Sequence, residues 1–339
     1  MGLRHLSVGG QVVLALGVLL VIFASPRPVT GEPPAGKVLR IGVLYAFNHA
    51  LDPVSSALDR AMIDGLRAKG YEPGRNFTLE FRSAEGKPER LPELAAELVR
   101  LKVDVLVTAG TAPTLSAREA TQTIPIVMVG VPDPVAAGIV ASLARPGGNI
   151  TGVSVNAVEI SAKRVQLLQE ALPKLSRVAV LWNSSFKSMT LGFQQIKLAA
   201  PSRGVTVQSV RVSGSGDFDQ AFAAISRERP GGLIVLFGPM RGDDLPRIIE
   251  FVNRNRLPAI FELGRGAKEG GLMEFGPNLP ELARHVGIYL DKIANGARPA
   301  DLPVEEPTRF EFVINLKTAR TLGLTIQSSL LARADRVIE

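Results

Sequence analysis

From residue 38 onward the chain alternates between two kinds of segment, and this alternation limits the folds that it can adopt. Short runs rich in β-branched residues are typical of buried strands. Runs of this kind occur at 38–47, 77–82, 103–109, 124–130, 150–155, 177–182, 205–212, 232–237 and 257–262. The intervening segments place apolar residues three and four apart, as amphipathic helices do, for example at Leu58, Met62 and Leu66. Strands alternating with helices predict parallel sheets that are covered on both faces.

The alternation runs through two comparable halves, about 38–150 and 156–270, with no long linker between them. We therefore predict an α/β chain with two doubly wound parallel-sheet lobes and a cleft between them. Ligands of such sheets bind beyond the carboxyl ends of the strands. We interpret 270–278 and the proline-rich 295–310 as later crossings between the lobes, with a helix over 280–295.

The first 36 residues differ in character from the rest. Arg4 and His5 precede an uncharged apolar stretch, Val8–Ala24, and a spacer rich in proline and glycine follows it. This order is typical of a secretory signal peptide. An uncleaved membrane anchor remains the alternative, because ~17 apolar residues are at the short limit for a span. In either case we expect everything after Lys37 to work outside the cytoplasm, in the periplasm.

Composition argues against several classes of function. The net charge is +7, but the lysines and arginines are spread along the chain without a basic run or interleaved aromatic residues, so nucleic-acid binding is not indicated. The chain contains no cysteine. Disulfides, zinc–cysteine sites, cysteine nucleophiles and a lipid-modified cysteine are therefore excluded.

The usual catalytic signatures are also missing. The first predicted strand is not followed by G-x-G-x-x-G, and the chain has neither a P-loop nor a G-x-S-x-G elbow. The histidines at positions 5, 49 and 285 are too scattered for a metal site. A carboxylate pair could be drawn from Asp133, Asp243, Glu262 and Glu274, but nothing in the sequence pairs them. We therefore expect no cofactor, no metal and no catalytic residue.

What remains is a set of small, polar or aromatic residues that directly follow the predicted strands. Because parallel strands share one carboxyl edge, these residues should face the cleft and bind the ligand. They are Tyr45, Phe47 and Asn48; Gly110, Thr111 and Ala112; Asp133; Asn183 and Ser184; Phe237 and Gly238; and Glu262.

Three strand ends carry specific hypotheses. At Gly110 the backbone can be approached closely, and the hydroxyl of Thr111 and the amides of the next helix would suit a carboxylate or a phosphate. The alternative is that Thr111 only caps that helix. Asp133 would hold an ammonium group or cap another helix. Trp182 would stack on a ligand or belong to the core.

Three blocks, 70–111, 123–154 and 270–326, resemble one known family, and the resemblance extends from Val38 to the C-terminus. It is the family of substrate-binding proteins of bacterial ABC transporters, in the group that includes tryptophan/tyrosine-type binders. The resemblance implies the type I periplasmic binding protein fold, in which two lobes joined by three crossings enclose a ligand by hinge closure. With that connectivity we expect lobe 1 to comprise 37–155 and 276–300, and lobe 2 to comprise 156–275 and 301–339.

The resemblance also implies roles for particular residues. The Gly110–Ala112 segment would bind an amino-acid carboxylate, and Asp133 matches the aspartate of a D-P-V motif. The strand end Tyr45–Asn48 and the second-lobe loops at Asn183, Phe237 and Glu262 would complete the site. Those second-lobe loops vary most within the family, so the identity of the ligand is not implied.

We therefore expect an extracytoplasmic, monomeric binding protein that captures a small solute, an amino acid or a related carboxylate, and delivers it to a membrane permease. A ligand-sensing module for a membrane receptor shares the fold and remains an alternative, and an exported α/β enzyme is a weaker one. A repressor of related fold is disfavoured, because no helix-turn-helix precedes Val38. The absent cysteine departs from the lipoprotein members of the family.

Overall fold

The computed structural model describes residues 38–46, 53–155, 157–185, 187–236, 244–262 and 265–339. The strands are β1 (Leu39–Tyr45), β2 (Phe77–Ser83), β3 (Val105–Ala109), β4 (Ile126–Val131), β5 (Ile150–Ser154), β6 (Arg177–Asn183), β7 (Thr206–Val212), β8 (Gly232–Val235), β9 (Ala259–Phe261), β10 (Met273–Pro277), β11 (Phe310–Asn315) and β12 (Arg336–Ile338). The helices are α1 (Pro53–Arg67), α2 (Leu91–Arg100), α3 (Thr111–Ala120), α4 (Ala157–Ala171), α5 (Lys187–Ala199), α6 (Phe218–Glu228), α7 (Asp244–Arg254), α8 (Leu279–Ala294), α9 (Leu316–Leu322) and α10 (Ser328–Leu331). Strands β1 to β9 match the nine predicted from sequence.

Sheet A contains the first five strands in the order β2-β1-β3-β4-β5, and all of its neighbouring strands are parallel. Its strands are apolar because helices cover both of its faces. One face packs Ile41, Val43 and Val107 into one core cluster, and the other packs Leu44, Leu106 and Met128 into a second. The predicted doubly wound sheet of the first half is confirmed.

Sheet B contains the other seven strands in the order β12-β11-β10-β9-β8-β6-β7. Its strands β6 to β10 are parallel, but β11 is antiparallel to β10, with Phe310 opposite Pro277. Strand β11 was not among the nine strands predicted from sequence. The segment 270–278, which we interpreted as a crossing, contains strand β10 and leads into the passage from β10 to α8.

The chain passes between the two sheets three times, and this connectivity explains the antiparallel edge. The passages lie between β5 and α4, between β10 and α8, and between the turn at 299–301 and β11. Helix α8 packs on α1, β4 and β5 of sheet A. The chain then returns to sheet B at the end where β10 finishes, so β11 has to run in the opposite direction.

Helices α1 and α8 cross at two glycines, Gly65 and Gly287. A Cβ atom on Gly287 would lie 2.7 Å from the carbonyl carbon of Gly65, and one on Gly65 would lie 2.5 Å from the carbonyl oxygen of Arg284. Contacts this short involve backbone atoms, which cannot move aside as a flexible side chain can. The close approach brings α8, which is remote in sequence, into the first lobe.

No helix among the described residues is both long enough and apolar enough to cross a membrane. The apolar stretch at 8–24, interpreted as a signal peptide or an anchor, lies outside the described residues.

We predict that Gly65→Ala destabilises the protein. Alanine normally stabilises a helix by about 1 kcal/mol relative to glycine, but overpacking against backbone costs about 1–3 kcal/mol. Gly192→Ala in α5 is the matched control, because its Cβ would meet only side-chain atoms at 3.3 and 3.4 Å. Denaturant unfolding of both variants measures the difference. A Gly65→Ala protein as stable as the control would contradict close packing of α1 on α8.

Candidate functional site

The strand order predicts one crevice at the carboxyl edge of each sheet. In sheet A the order reverses between β1 and β3, and in sheet B it reverses between β6 and β8. Ligands of doubly wound sheets bind at such reversals, because the flanking loops turn to opposite faces and leave an opening. The reversal in sheet A lies between Tyr45 and Gly110, and the one in sheet B lies beside Asn183.

The turn after β3 is shaped by glycine. Gly110 has a φ of 88° and is the N-cap residue of α3, so the interpretation of Thr111 as the cap is wrong. The Gly110 amide donates to Val129 O at 2.8 Å, and the Thr114 hydroxyl donates to Gly110 O at 2.7 Å. The Thr114 hydroxyl also lies 2.8 Å from that of Thr108. These bonds hold the turn rigidly from both sides.

No side chain caps helix α3. The amides of Thr111 and Ala112 have no hydrogen-bond acceptor among the described residues, and both residues are half-exposed. The first amides of a helix carry partial positive charge and bind anions. The segment predicted to bind a carboxylate therefore presents two open donors and the hydroxyl of Thr111.

Asp133 follows the adjacent strand β4, but the helix expected after it is a turn at 134–138. The Asp133 carboxylate accepts a hydrogen bond from the Ala136 amide at 2.8 Å. The Pro134 carbonyl accepts from Ile139 and Val140, which closes the turn before a helix can propagate. Asp133 thus caps a turn, and it remains partly accessible.

Tyr45 at the end of β1 is a core residue. Its side chain is buried, and its hydroxyl donates to Asp59 Oδ1 on α1 at 2.6 Å. The phenol therefore anchors α1 to the strand end, and this side chain does not present an open hydroxyl. Phe47 and Asn48, which were predicted beside it, lie outside the described residues.

At the end of β6 in sheet B, Trp182 belongs to the core and the residues that follow it lie at the edge of the sheet. Trp182 stacks on Phe193 at a centroid distance of 4.8 Å, and its indole N–H donates to Ser209 Oγ at 3.0 Å. The hypothesis that Trp182 stacks on a ligand is therefore wrong. Asn183 is buried and accepts from the Ser185 amide at 2.9 Å, whereas Ser184 is exposed. Phe237 and Gly238 lie outside the described residues.

Glu262, at the end of β9, lies beside an arginine that the sequence did not single out. Arg164 on α4 has no exposed side-chain surface, and its Nη2 lies 3.4 Å from Glu262 Oε1. Burial lowers the pKa of Arg164 below its ordinary value, and the charges of Glu262 and Glu274 oppose that shift. The carboxyl edge of sheet B therefore carries a buried ion pair.

Comparison with known proteins identifies the chain. A family profile described as ABC transporter substrate binding protein matches residues 41–338. The chain belongs to this family.

Individual relatives agree with the family assignment. A tyrosine-binding protein of Clostridioides difficile is 27% identical over 291 residues, which is 85% of this chain and 82% of the relative. A conserved domain protein of Vibrio cholerae is 28% identical with a TM-score of 0.82, and covers 89% of this chain and 100% of its own. An ABC domain of Streptococcus pneumoniae, solved in complex with L-Trp, is 25% identical with a TM-score of 0.80 over the same shares.

These matches confirm the resemblance and the fold class that the sequence indicated. The matching proteins are solute-binding proteins and not enzymes. Substrate-binding proteins of this family work outside the cytoplasm, and signal peptides are typical of them. They bind small molecules, as the L-Trp complex shows for its own chain.

Two features of this substrate-binding protein were missed by sequence reasoning: Arg164 and the Thr108–Thr114 pair. Arg164 lies four residues from both Ile160 and Leu168, which are buried on α4. This spacing places Arg164 on the same face of α4 as these two apolar residues. An arginine on an otherwise apolar helix face was the one signal in the sequence, because an arginine is almost never fully buried unless it is paired. Nothing local indicated that the partner would be Glu262.

We predict that Glu274→Gln stabilises the protein at neutral pH. Burial raises the pKa of Glu274, so the native state holds a proton that the unfolded chain loses above about pH 4.3. The stability contributed by Glu274 is therefore fully present below that pH and is lost as the pH rises. The gain in Tm of the variant over the wild type should grow from pH 4 to pH 7 in thermal unfolding. A constant difference across this range would contradict the raised pKa.

Proposed function

We propose that this chain captures a free amino acid at the carboxyl edges of its two sheets and delivers it to a membrane permease. The uncapped N-terminus of α3, with Gly110 at a positive φ and two amides that have no acceptor among the described residues, carries the proposal. A carboxylate placed there would receive hydrogen bonds from Thr111 and Ala112 and would interact favourably with the helix dipole.

The relatives favour an aromatic amino acid. One is named a tyrosine-binding protein, and another was solved with L-Trp. At 27% and 25% identity the side chains that select the ligand can differ from those of the relatives. L-Tyr and L-Trp are therefore the first probes to use.

Capture would proceed by closure of the two lobes about the three crossings. The first lobe, 37–155 and 276–300, would offer the amides at Gly110–Ala112, and Asp133 would lie beside them. The second lobe, 156–275 and 301–339, would contribute Asn183, Ser184 and Glu262. Closure is driven by ligand contacts that form only in the closed state. The export-type N-terminus supports action in the periplasm, where a permease can receive the solute.

A thermal-shift experiment tests the ligand class. At about 100 times its dissociation constant, a ligand adds about 2.7 kcal/mol of stability. We expect L-Tyr or L-Trp to raise the Tm of the mature chain, and we expect nucleosides and sugars to leave it unchanged. A panel of all common amino acids that gives no shift would contradict the proposal.

Replacement of Thr111 tests the position of the carboxylate. Thr111→Ala removes a hydroxyl that makes no hydrogen bond to the described residues, so the stability of the empty protein should barely change. Affinity should fall about ten- to a hundredfold, because a hydrogen bond to a charged group contributes about 1.5–3 kcal/mol. Ser116→Ala, which removes a hydroxyl from the middle of the same helix, is the control and should bind normally. Equal affinities measured by calorimetry for both variants would place the carboxylate elsewhere.

A further inference from the structure

Arg164 is held from several sides in the interior of the second lobe. Its Nε donates to the Phe275 carbonyl of β10 at 2.9 Å, and its Nη1 lies 3.5 Å from Ser161 Oγ on its own helix. The remaining nitrogen, Nη2, faces Glu262 Oε1 at 3.4 Å. Nη2 makes no hydrogen bond in the part of the chain that the structure describes, so attraction between charges dominates this contact.

The two partners differ in their access to solvent. The side chain of Arg164 is 0% exposed and that of Glu262 is 17% exposed. Glu262 Oε2 is itself buried, so the exposed surface of this side chain belongs to its remaining atoms, and a ligand beyond the end of β9 can contact those atoms but not the guanidinium. Arg164 would act on a ligand only through Glu262.

A buried arginine charge needs a compensating anion, because an unpaired charge in the protein interior is very costly. Glu274 is also near, but burial raises its pKa and makes it the weaker source of negative charge. Glu262 is therefore the counter-ion of Arg164. The planar guanidinium is fixed by the Phe275 carbonyl, so it fixes the carboxylate in turn.

We infer that Arg164 is a positioning residue of the binding site, which holds the Glu262 carboxylate at the end of β9 as a preset anion for a cationic group of the solute. For an amino acid this group is the α-ammonium, while its carboxylate occupies the amides at Thr111 and Ala112. The inference rests on the proposed function and deepens it. It means that the second lobe selects zwitterions over simple carboxylates.

The rival anion is Asp133 in the first lobe, where a carboxylate oxygen already accepts a hydrogen bond from the Ala136 amide. Asparagine preserves that bond, since its side-chain oxygen also accepts. Asp133→Asn therefore removes the charge of the rival while keeping its turn.

The experiment measures dissociation constants for L-Tyr and for its des-amino analogue 3-(4-hydroxyphenyl)propionate, and compares their ratio among variants. Glu262→Gln should reduce the preference for L-Tyr by about tenfold or more, since a charge-assisted bond is lost. Arg164→Lys keeps the positive charge but cannot bond Phe275 O and reach Glu262 together. It should reduce the same ratio toward that of Glu262→Gln.

A control separates positioning from simple folding effects. Arg333 pairs with Glu170 of α4 at 2.6 Å and is well exposed, so Arg333→Lys disturbs an arginine–glutamate pair of the same lobe away from the strand ends. Its ratio should equal that of the wild type. Glu262→Gln leaves the charge of Arg164 buried without its counter-ion, so this variant can fail to fold. In that case Arg164→Lys and the double replacement Arg164→Gln/Glu262→Gln provide the same ratio of dissociation constants.

The outcomes distinguish failure of the inference about Arg164 from failure of the proposed function. If Arg164→Lys lowers only the Tm of the empty protein and leaves the ratio unchanged, Arg164 is structural and the inference is wrong. The inference also fails if Asp133→Asn abolishes the preference while Glu262→Gln retains it. If the wild type binds neither L-Tyr nor any other common amino acid, the proposed function falls and the inference falls with it.

Discussion

Parallel strands cannot be joined by tight turns, and most of this molecule follows from that constraint. Wherever one parallel strand of a sheet is followed by another of the same sheet, the chain needs a crossover that returns it to the same starting edge. The carboxyl ends of these strands therefore lie together, and the loops that follow them form the two crevices. Gly110, Asp133, Asn183 and Glu262 come from distant parts of the chain and share these edges for that reason.

In the proposed site the first lobe would recognise charge through its backbone, whereas the second would do so through side chains. At the end of β3 the donors are amides at a helix terminus, fixed by Gly110 and by the Thr114 hydroxyl. They need no counter-ion, because a helix terminus carries only partial charge. At the end of β9 the proposed site uses the carboxylate of Glu262, which lies 3.4 Å from the buried Arg164 and would be held in place by it. A zwitterionic amino acid has a carboxylate, which would suit the amides of the first lobe, and an ammonium group, which would suit the carboxylate of the second.

The sequence predicted the fold well where local patterns decide it. Nine strands were predicted from apolar runs, because strands buried on both faces have few other compositions. It failed at β10, whose Gly276 and Pro277 are typical of loops, and at β11, whose direction depends on where α8 releases the chain. The α1–α8 contact was equally unpredictable, because Gly65 and Gly287 carry no local sign of a partner.

For the site, the sequence alone determined which segments end strands and therefore which loops meet at an edge. It also indicated the open helix terminus at Gly110–Thr111, because glycine before a helix is a local signal. Only the tertiary structure decided which side chains lie in the core and which of them pair with one another. Trp182 and Tyr45 were turned into the core, since their large apolar rings are stabilised by burial next to Phe193 and α1. Arg164 and Glu262 became partners although 98 positions separate them, because helix packing alone brings α4 beneath β9.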